Sequence, residues 1–384
     1  MVINRRIANL MQSEIRNMSI ECDKVKGINL SQGICDLPLS NVLSEGVNLA
    51  LEKGINQYTR YDGIDEIRRA IANKVKHFNG IDADPAKNIT VTCGSTGALY
   101  SACMALFSPG DEVILFEPFY GYHEYTLLAT ELVPVYVRLT PPSWEYSIEE
   151  LEKAVTSRTK AIILNTPANP CGKVFSREEL EELGDFCIKH DLIILTDEIY
   201  EYITYDDHNH ISPATIEKIK DRVVTISGYS KTFSITGWRI GYSIAKEEYA
   251  NLIGMVSDLV YVCAPAPLQF AVAKAIDTLG DDFYKNLRNE FIDKREIICS
   301  VLSDVGLTPY VPQGAYYVLA DISKLEGKNS KEKCMWLLEK SGVASVPGES
   351  FYNKKGGENI ARFCFAKDYA VLKLAAERLR KLFK

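Results

Sequence analysis

The chain of 384 residues lacks several things, and each absence removes a class of function. Its 44 Lys and Arg are outnumbered by 51 Asp and Glu, a net charge of −7. A general nucleic-acid binder needs a basic surface for phosphates, so no nucleic-acid partner is expected. No apolar run is long enough to cross a bilayer, so no membrane partner is expected either. The ten cysteines form no CxxC pair and do not cluster with the five histidines, which tells against a zinc site or a disulfide framework. Several cysteines lie in apolar runs, where a free thiol behaves as a small hydrophobe, and this suits a reducing compartment. The opening MVINRRIANLMQSEIRN has no apolar core of a secretory signal, so a cytoplasmic location is the default expectation. There is no strand–GxGxxG–helix unit and no GK[ST] behind a glycine loop, against a dinucleotide oxidoreductase or a P-loop enzyme.

What is present is enough apolar sequence, 46%, for a large core. At roughly 100–200 residues per domain, two domains are expected. Apolar runs at Ile89–Cys93, Glu112–Phe116, Ala161–Asn165, Leu192–Asp197, Val223–Ser227 and Ile240–Ala245 read as strands. Most lack alternation, as strands covered on both faces do. Helical stretches separate several of them, such as Thr96–Leu106 and Ser176–His190, the second opening on a Ser176…Glu179 capping box. This predicts an α/β fold with a mostly parallel sheet. From about Asp281 the texture changes. A long charged helix precedes short strands near Ala315–Asp321 and Ala361–Ala366 and a terminal helix, Tyr369–Phe383, which reads as a smaller α+β domain.

Four segments carry candidate chemistry. In SGYSKTFSITGWRIGY, Lys231 follows a strand end, where partial desolvation lowers an amine's pKa and readies it for Schiff-base formation. Arg239, eight residues on, can hold a phosphate through two parallel hydrogen bonds. In DLIILTDEIYEYITY, Asp197 ends an apolar strand, where open α/β sheets place ligands, and a buried carboxylate there needs a partner such as a protonated pyridine. Tyr200 follows three residues later. In AIILNTPANPCGKVFSREEL, Asn165 and Asn169 lie at or just past a strand end, with amides that can donate to a ring oxygen. In ITVTCGSTGALY, Gly94, Ser95 and Thr96 open a helix whose free N–H groups form an anion site, and Tyr120 in EPFYGYH can stack on a ring. Taken singly, each has a plainer explanation: a solvated lysine, a capping Asp, an Asx turn, a core tyrosine.

Together, and in this order, the segments resemble the fold-type-I PLP-dependent aminotransferases of class I and II. The likeness extends to LSQGICDLP, YTRYDGIDEIRRAI, VPGESFY and ARFCFA, so it covers nearly the whole chain. It implies a three-layer α/β/α large domain over residues 45–285 and a small domain from 1–44 and 286–384. It implies pyridoxal 5′-phosphate as cofactor, bound to Lys231 as a Schiff base, with Asp197 on the pyridine nitrogen. Asn169 and Tyr200 would donate to the ring hydroxyl and Tyr120 would stack. Gly94, Ser95, Thr96, Ser230 and Arg239 would hold the phosphate, with Tyr58 reaching the phosphate of a neighbouring subunit in a homodimer with shared active sites. Arg362 would clamp the substrate α-carboxylate, assisted by the Gly33 backbone and by Asn165 and Asn169. Three residues before the lysine many relatives have Ser where this chain has Gly228. Ser227 and Ser230 are the neighbours able to replace that contact.

The expected reaction passes an amino group from an amino acid to a 2-oxo acid in ping-pong fashion. Tyr120, Tyr122, Tyr261, Tyr316 and Tyr317 point to neutral or aromatic donors. The stretch DLVYVCAPAP, with Leu259 near the place where one subgroup of aspartate enzymes carries a partner-subunit Arg, has no Arg. Three alternatives remain beside this reading: a C–S lyase or other eliminating enzyme of the same fold, an aspartate aminotransferase, and a PLP-binding transcription regulator. The last is disfavoured because LSQGICDLP begins by about residue 30, leaving no room for a helix-turn-helix domain.

Overall fold

A computed structural model describes residues 13–383. Residues 1–12, where most of the leader reading falls, lie outside the described residues. The elements follow in chain order: α1 (Glu14–Lys24), β1 (Ile28–Asn29), α2 (Asn41–Glu52), α3 (Asp65–Lys74), β2 (Ile89–Cys93), α4 (Gly94–Leu106), β3 (Glu112–Glu117), α5 (Gly121–Ala129), β4 (Val133–Arg138), α6 (Ile148–Ala154), β5 (Thr159–Asn165), α7 (Arg177–Lys189) and β6 (Ile193–Asp197). Next come β7 (Val223–Gly228), β8 (Ile240–Ile244), α8 (Glu247–Tyr261), α9 (Ala266–Thr278) and α10 (Asp281–Asp304). The C-terminal part holds β9 (Thr308–Tyr310), β10 (Tyr317–Asp321), α11 (Ser330–Ser341), β11 (Val343–Ala344), β12 (Val346–Pro347), β13 (Ile360–Cys364) and α12 (Tyr369–Leu382).

The central sheet has seven strands in the order β2-β8-β7-β6-β5-β3-β4. Only β8 runs against its neighbours, β2 and β7, and the other pairs are parallel. The mostly parallel sheet read from the unalternating apolar runs is therefore present. All six residues of β3 and of β7 are buried, which is why their sequences do not alternate. The expected strands omit β4. Its sequence, VPVYVR, carries Pro134 and is largely half-exposed, because it is the edge strand, where a missing N–H costs no ladder bond. The Ser176–Glu179 capping box is formed, with each residue accepting the other's backbone N–H.

A second, four-stranded antiparallel sheet, β12-β13-β10-β9, is built by the C-terminal part, and β1 pairs in parallel with β11. The chain segment after α1 thus lies beside the C-terminal elements. One hydrophobic core joins Met18, Leu30, Phe291, Tyr316, Phe363 and Leu379.

Behind the end of β6 lies a buried charged cluster. Lys74 Nζ, brought by α3, is 2.5 Å from Glu201 Oε1, and Glu201 also accepts from Asn79 Nδ2 at 2.8 Å and Ser227 Oγ at 3.1 Å. Glu198 accepts from Ser212 Oγ at 2.7 Å and pairs with His210 at 2.8 Å. The carboxylates are thus saturated by protein donors and serve to anchor the turn after β6. Removing one partner of a buried ion pair leaves a charge without compensation. Lys74→Met is therefore expected to lower the unfolding free energy by about 3–5 kcal/mol, measured by urea denaturation, and a loss below about 1 kcal/mol would contradict this account.

Candidate active site

The C-terminal ends of β5 and β6 are adjacent in register, with Asn165 opposite Asp197. They open into a cavity of about 420 Å³ lined by groups from both sheets and from α1. Lys231 lies in the turn after β7, lining this cavity. Its Nζ donates to the Gly33 carbonyl at 3.2 Å and sits 5.6 Å above the Tyr316 ring. Burial lowers the Lys231 amine to about 8. Gly33 has no room for a side chain: a Cβ there would fall 1.8 Å from the Tyr317 hydroxyl oxygen.

Asp197 is not a helix cap, since a turn follows it. One carboxylate oxygen lies 2.9 Å from His123 Nε2 and the other accepts the Ile199 N–H at 3.2 Å. Asn165 Nδ2 donates to the Asp197 carbonyl at 2.9 Å, and its amide oxygen accepts the Asn169 N–H at 2.7 Å. Asn169 in turn offers its oxygen to Arg362 at 2.8 Å. Arg362, on β13, is almost fully buried. It also donates to the Ser31 carbonyl at 2.7 Å, and its guanidinium stacks between Tyr317 at 4.2 Å and Phe351 at 5.1 Å. Its Nε has no partner among the described residues. Tyr200 donates to the Tyr317 hydroxyl at 3.2 Å, and burial pushes the Tyr200 phenol well above its ordinary pKa.

At the other end of the cavity α4 begins at Gly94, which has φ +75°, a conformation that favours glycine. A Cβ there would meet the Arg239 guanidinium at 2.3 Å, so only glycine lets that cation lie against the helix start. Ser95, Thr96 and Ser230 line the same end. Tyr120 precedes α5, its ring 5.3 Å from Tyr122 in a stacked pair and edge-on to His123. Of the residues expected to serve catalysis, cofactor or substrate, the structure gathers all but Gly94 and Tyr58 onto the cavity wall, and Gly94 packs against the wall residue Arg239; of the five tyrosines read as a hint of the donor, Tyr120, Tyr122 and Tyr317 line the cavity and Tyr261 and Tyr316 do not. Tyr58 is 84% exposed and does not line this chain's cavity.

Three features escape a reading of local motifs. His123 pairs with Asp197 across 74 residues, and its only signal was a position three residues past Tyr120. The Ser31 carbonyl fixes Arg362, and Tyr316, read from sequence only as a hint of the donor, fixes the Gly33 carbonyl. Ser13, Ile15 and Arg16 bring the start of α1 to the cavity mouth.

Against known proteins, residues 25–379 match the family model described as aminotransferase class I and II. The chain belongs to the class I and II aminotransferases. It is a transaminase of the α/β PLP-transferase fold, and pyridoxal 5′-phosphate is the family's cofactor. Kynurenine–oxoglutarate transaminase 3 of Rattus norvegicus is 34% identical over 414 residues, covering 99% of this chain and 91% of the relative. Aromatic-amino-acid aminotransferase 2 of Thermococcus litoralis is 34% identical over 391 residues, covering 100% and 99%. An Escherichia coli structure assigned a methionine aminotransferase function superposes with a TM-score of 0.95 at 31% identity, covering 99% of this chain and all of that one.

The departure at Gly228 now has a physical reason. A Cβ on Gly228 would lie 2.9 Å from both Gly241 Cα and the Ile240 carbonyl, backbone atoms that cannot swing aside. Gly241 is packed still more closely on the Gly94–Ser95 backbone, where a Cβ would fall 2.4 Å from Gly94 C and Ser95 N, so the three segments share one tight contact. Ser227 turns away to Glu201, whereas Ser230 faces the cavity. Gly228→Ser, which installs the residue many relatives carry, is expected to cost about 1–3 kcal/mol through overpacking. A thermal melt that coincides with wild type would show that the contact has slack.

Proposed function

We propose that this protein transfers the amino group of an amino acid, neutral or aromatic side chains favoured, to a 2-oxo acid with pyridoxal 5′-phosphate as cofactor. The observation that carries the reading is Lys231: an amine lowered to about 8, sharing one cavity with the Asp197 carboxylate and the Arg239 and Arg362 guanidiniums. These groups fit the cofactor. The α4 N-terminus and Arg239, touching through Gly94, suit a phosphate dianion. Asp197 suits a protonated pyridine, and the orphan Nε of Arg362 suits a carboxylate.

When bound, the cofactor supplies an aldehyde that captures the amino group and a ring that draws electron density from the substrate's Cα. The chain's own residues do the rest. Lys231 Nζ would hold the cofactor and, as a free amine, would take the substrate's Cα proton as general base. Asp197, oriented by His123 and the Ile199 N–H, would keep a proton on the ring nitrogen. Asn169 would donate to the ring hydroxyl, as would Tyr200 on giving up its bond to Tyr317, and Tyr120 would stack on the ring. Ser95, Thr96, Ser230 and Arg239 would hold the phosphate. Arg362, with Asn165, Asn169 and the Gly33 backbone, orients the substrate so that its Cα–H faces Lys231. The second 2-oxo acid takes the same path in reverse, hence ping-pong kinetics.

The exposed Tyr58, together with Leu259 at 86% exposure on α8, supports a homodimer in which Tyr58 enters the partner's cavity. The division at residues 45 and 285 is supported by the separate four-stranded sheet of the C-terminal part and by the pairing of β1 with β11. The ten free cysteines support a cytoplasmic home, and among the described residues no helix is long and apolar enough to cross a membrane. The stacked Tyr120–Tyr122 pair, and relatives named for kynurenine and aromatic amino acids, support an aromatic donor.

Purified protein is expected to show a visible absorbance band that Lys231→Ala abolishes, with transfer activity falling about a hundredfold or more. A band unchanged in the variant would contradict the role of Lys231. Capture requires the neutral amine, so below about pH 8 its rate in cofactor-free protein should fall roughly tenfold per pH unit, levelling off above. A flat profile from pH 6 to 8 would contradict the lowered pKa. A panel of amino donors with 2-oxoglutarate or pyruvate should yield 2-oxo acids, fastest from aromatic or neutral donors, and ammonia release without transfer would instead indicate elimination.

A further inference from the structure

The turn after β6 reaches two cavities. Tyr200 lines the catalytic one, and Tyr202 lines a second, of about 440 Å³, that the amino-transfer reading leaves without a task. Its other walls come from α3, the end of α9 and the start of α10. Beyond Lys74, α3 widens into a π-turn, Val75–Asn79, a bulge frequent at functional sites, and this turn carries His77 and Phe78 into the wall. The floor is aromatic. The Tyr202 ring lies 4.1 Å from Phe78 and 4.2 Å from Tyr284, the second pair stacked. Two rings cannot share one face at such distances, so Tyr202 is the middle of a three-ring stack. The plain explanation is a cover for the buried Lys74–Glu201 pair, since Lys74 Nζ is 5.1 Å from the Tyr202 ring and 5.4 Å from Phe78. A cover accounts neither for the open volume beside it nor for a phenylalanine left 41% exposed.

The charges of the wall are a second, independent observation. Each base is matched: Lys74 by Glu201 at 2.5 Å, Lys285 by Asp282 at 3.8 Å, and His77 faces Asp281 at 3.6 Å. Asp277 alone on this wall has neither a hydrogen bond nor an ion pair among the described residues, and partial desolvation raises its carboxyl above the ordinary value. An unmatched carboxylate beside a stack of rings is the complement of an organic cation with a flat apolar body. Aromatic faces attract such a cation through the ring quadrupole, and a carboxylate adds its charge. We propose that this cavity binds an arylalkyl ammonium ion, its ring against the Phe78–Tyr202–Tyr284 stack and its cation against Asp277. The inference does not rest on the amino-transfer reading. The two cavities nonetheless share one turn, in which Glu201, held by Lys74, stands between Tyr200 and Tyr202.

The test titrates the holoenzyme with benzyltrimethylammonium by calorimetry. This probe has no N–H and so cannot form a Schiff base. Benzyl alcohol, which lacks the charge, and tetramethylammonium, which lacks the ring, are the controls. Wild type is expected to bind the probe with a Kd of about 1 mM or tighter, and each control at least about threefold more weakly. Asp277→Asn is expected to weaken the probe at least about threefold while leaving benzyl alcohol within about twofold, and Phe78→Ala to weaken the probe at least about threefold. Asp277 is exposed, so its variant folds as wild type does and carries the test alone if Phe78→Ala is destabilised. No binding up to about 10 mM, a probe held no more tightly than either control, or a loss below about threefold in either folded variant would overturn the inference. The last result would place the cation elsewhere, such as at Asp197 in the catalytic cavity.

Discussion

A carboxylate at the buried end of a parallel strand has to be compensated, and much of this site is arranged around that need at Asp197. One oxygen faces His123, the other accepts a backbone N–H, and its carbonyl is held by Asn165 from the neighbouring strand. The turn that follows is anchored from behind by Glu198 and Glu201, themselves saturated by Lys74, His210 and hydroxyl groups. The acid is therefore fixed in place while its cavity side stays available to a cation. Lys231, Asn169 and Tyr200 take their positions relative to it.

The second constraint is backbone proximity. Gly228, Gly241 and Gly94 pack where no Cβ fits, which draws the end of β7, β8 and the start of α4 into one contact. That contact sets Arg239 against the helix start and Ser230 on the cavity wall. Gly33 does the same from the N-terminal segment, letting its carbonyl reach Lys231 and the Tyr316 hydroxyl. The site is thus assembled from four separate chain regions by groups that leave little slack, as a site that must control proton position requires.

The sheet was legible because strands buried on both faces spell themselves as apolar runs, and the cavity residues were legible because each sits where such a run stops. Lys231, Asp197 and Asn165 are all of this kind. What local sequence could not show is pairing across distance. His123 looks like one more ring in EPFYGYH until folding sets it on Asp197. Ser13, Ile15 and Arg16 likewise reach the cavity from the start of α1, a placement no local motif announces. The edge strand β4 was missed because half-exposure and Pro134 remove the apolar signature. Gly228 looked like a departure to be compensated by a neighbouring serine, whereas its cause is the approach of Gly241.

Transfer, as opposed to elimination, is the claim on which the account stands, because Lys231, Asp197 and Arg362 would serve either outcome. Holoenzyme mixed with an aromatic amino acid and no acceptor tests it most directly. Amino transfer predicts one 2-oxo acid per subunit, the amino group retained by the protein, no free ammonia, and a reaction that then stops. Continued turnover with ammonia accumulating in step with the 2-oxo acid would contradict it.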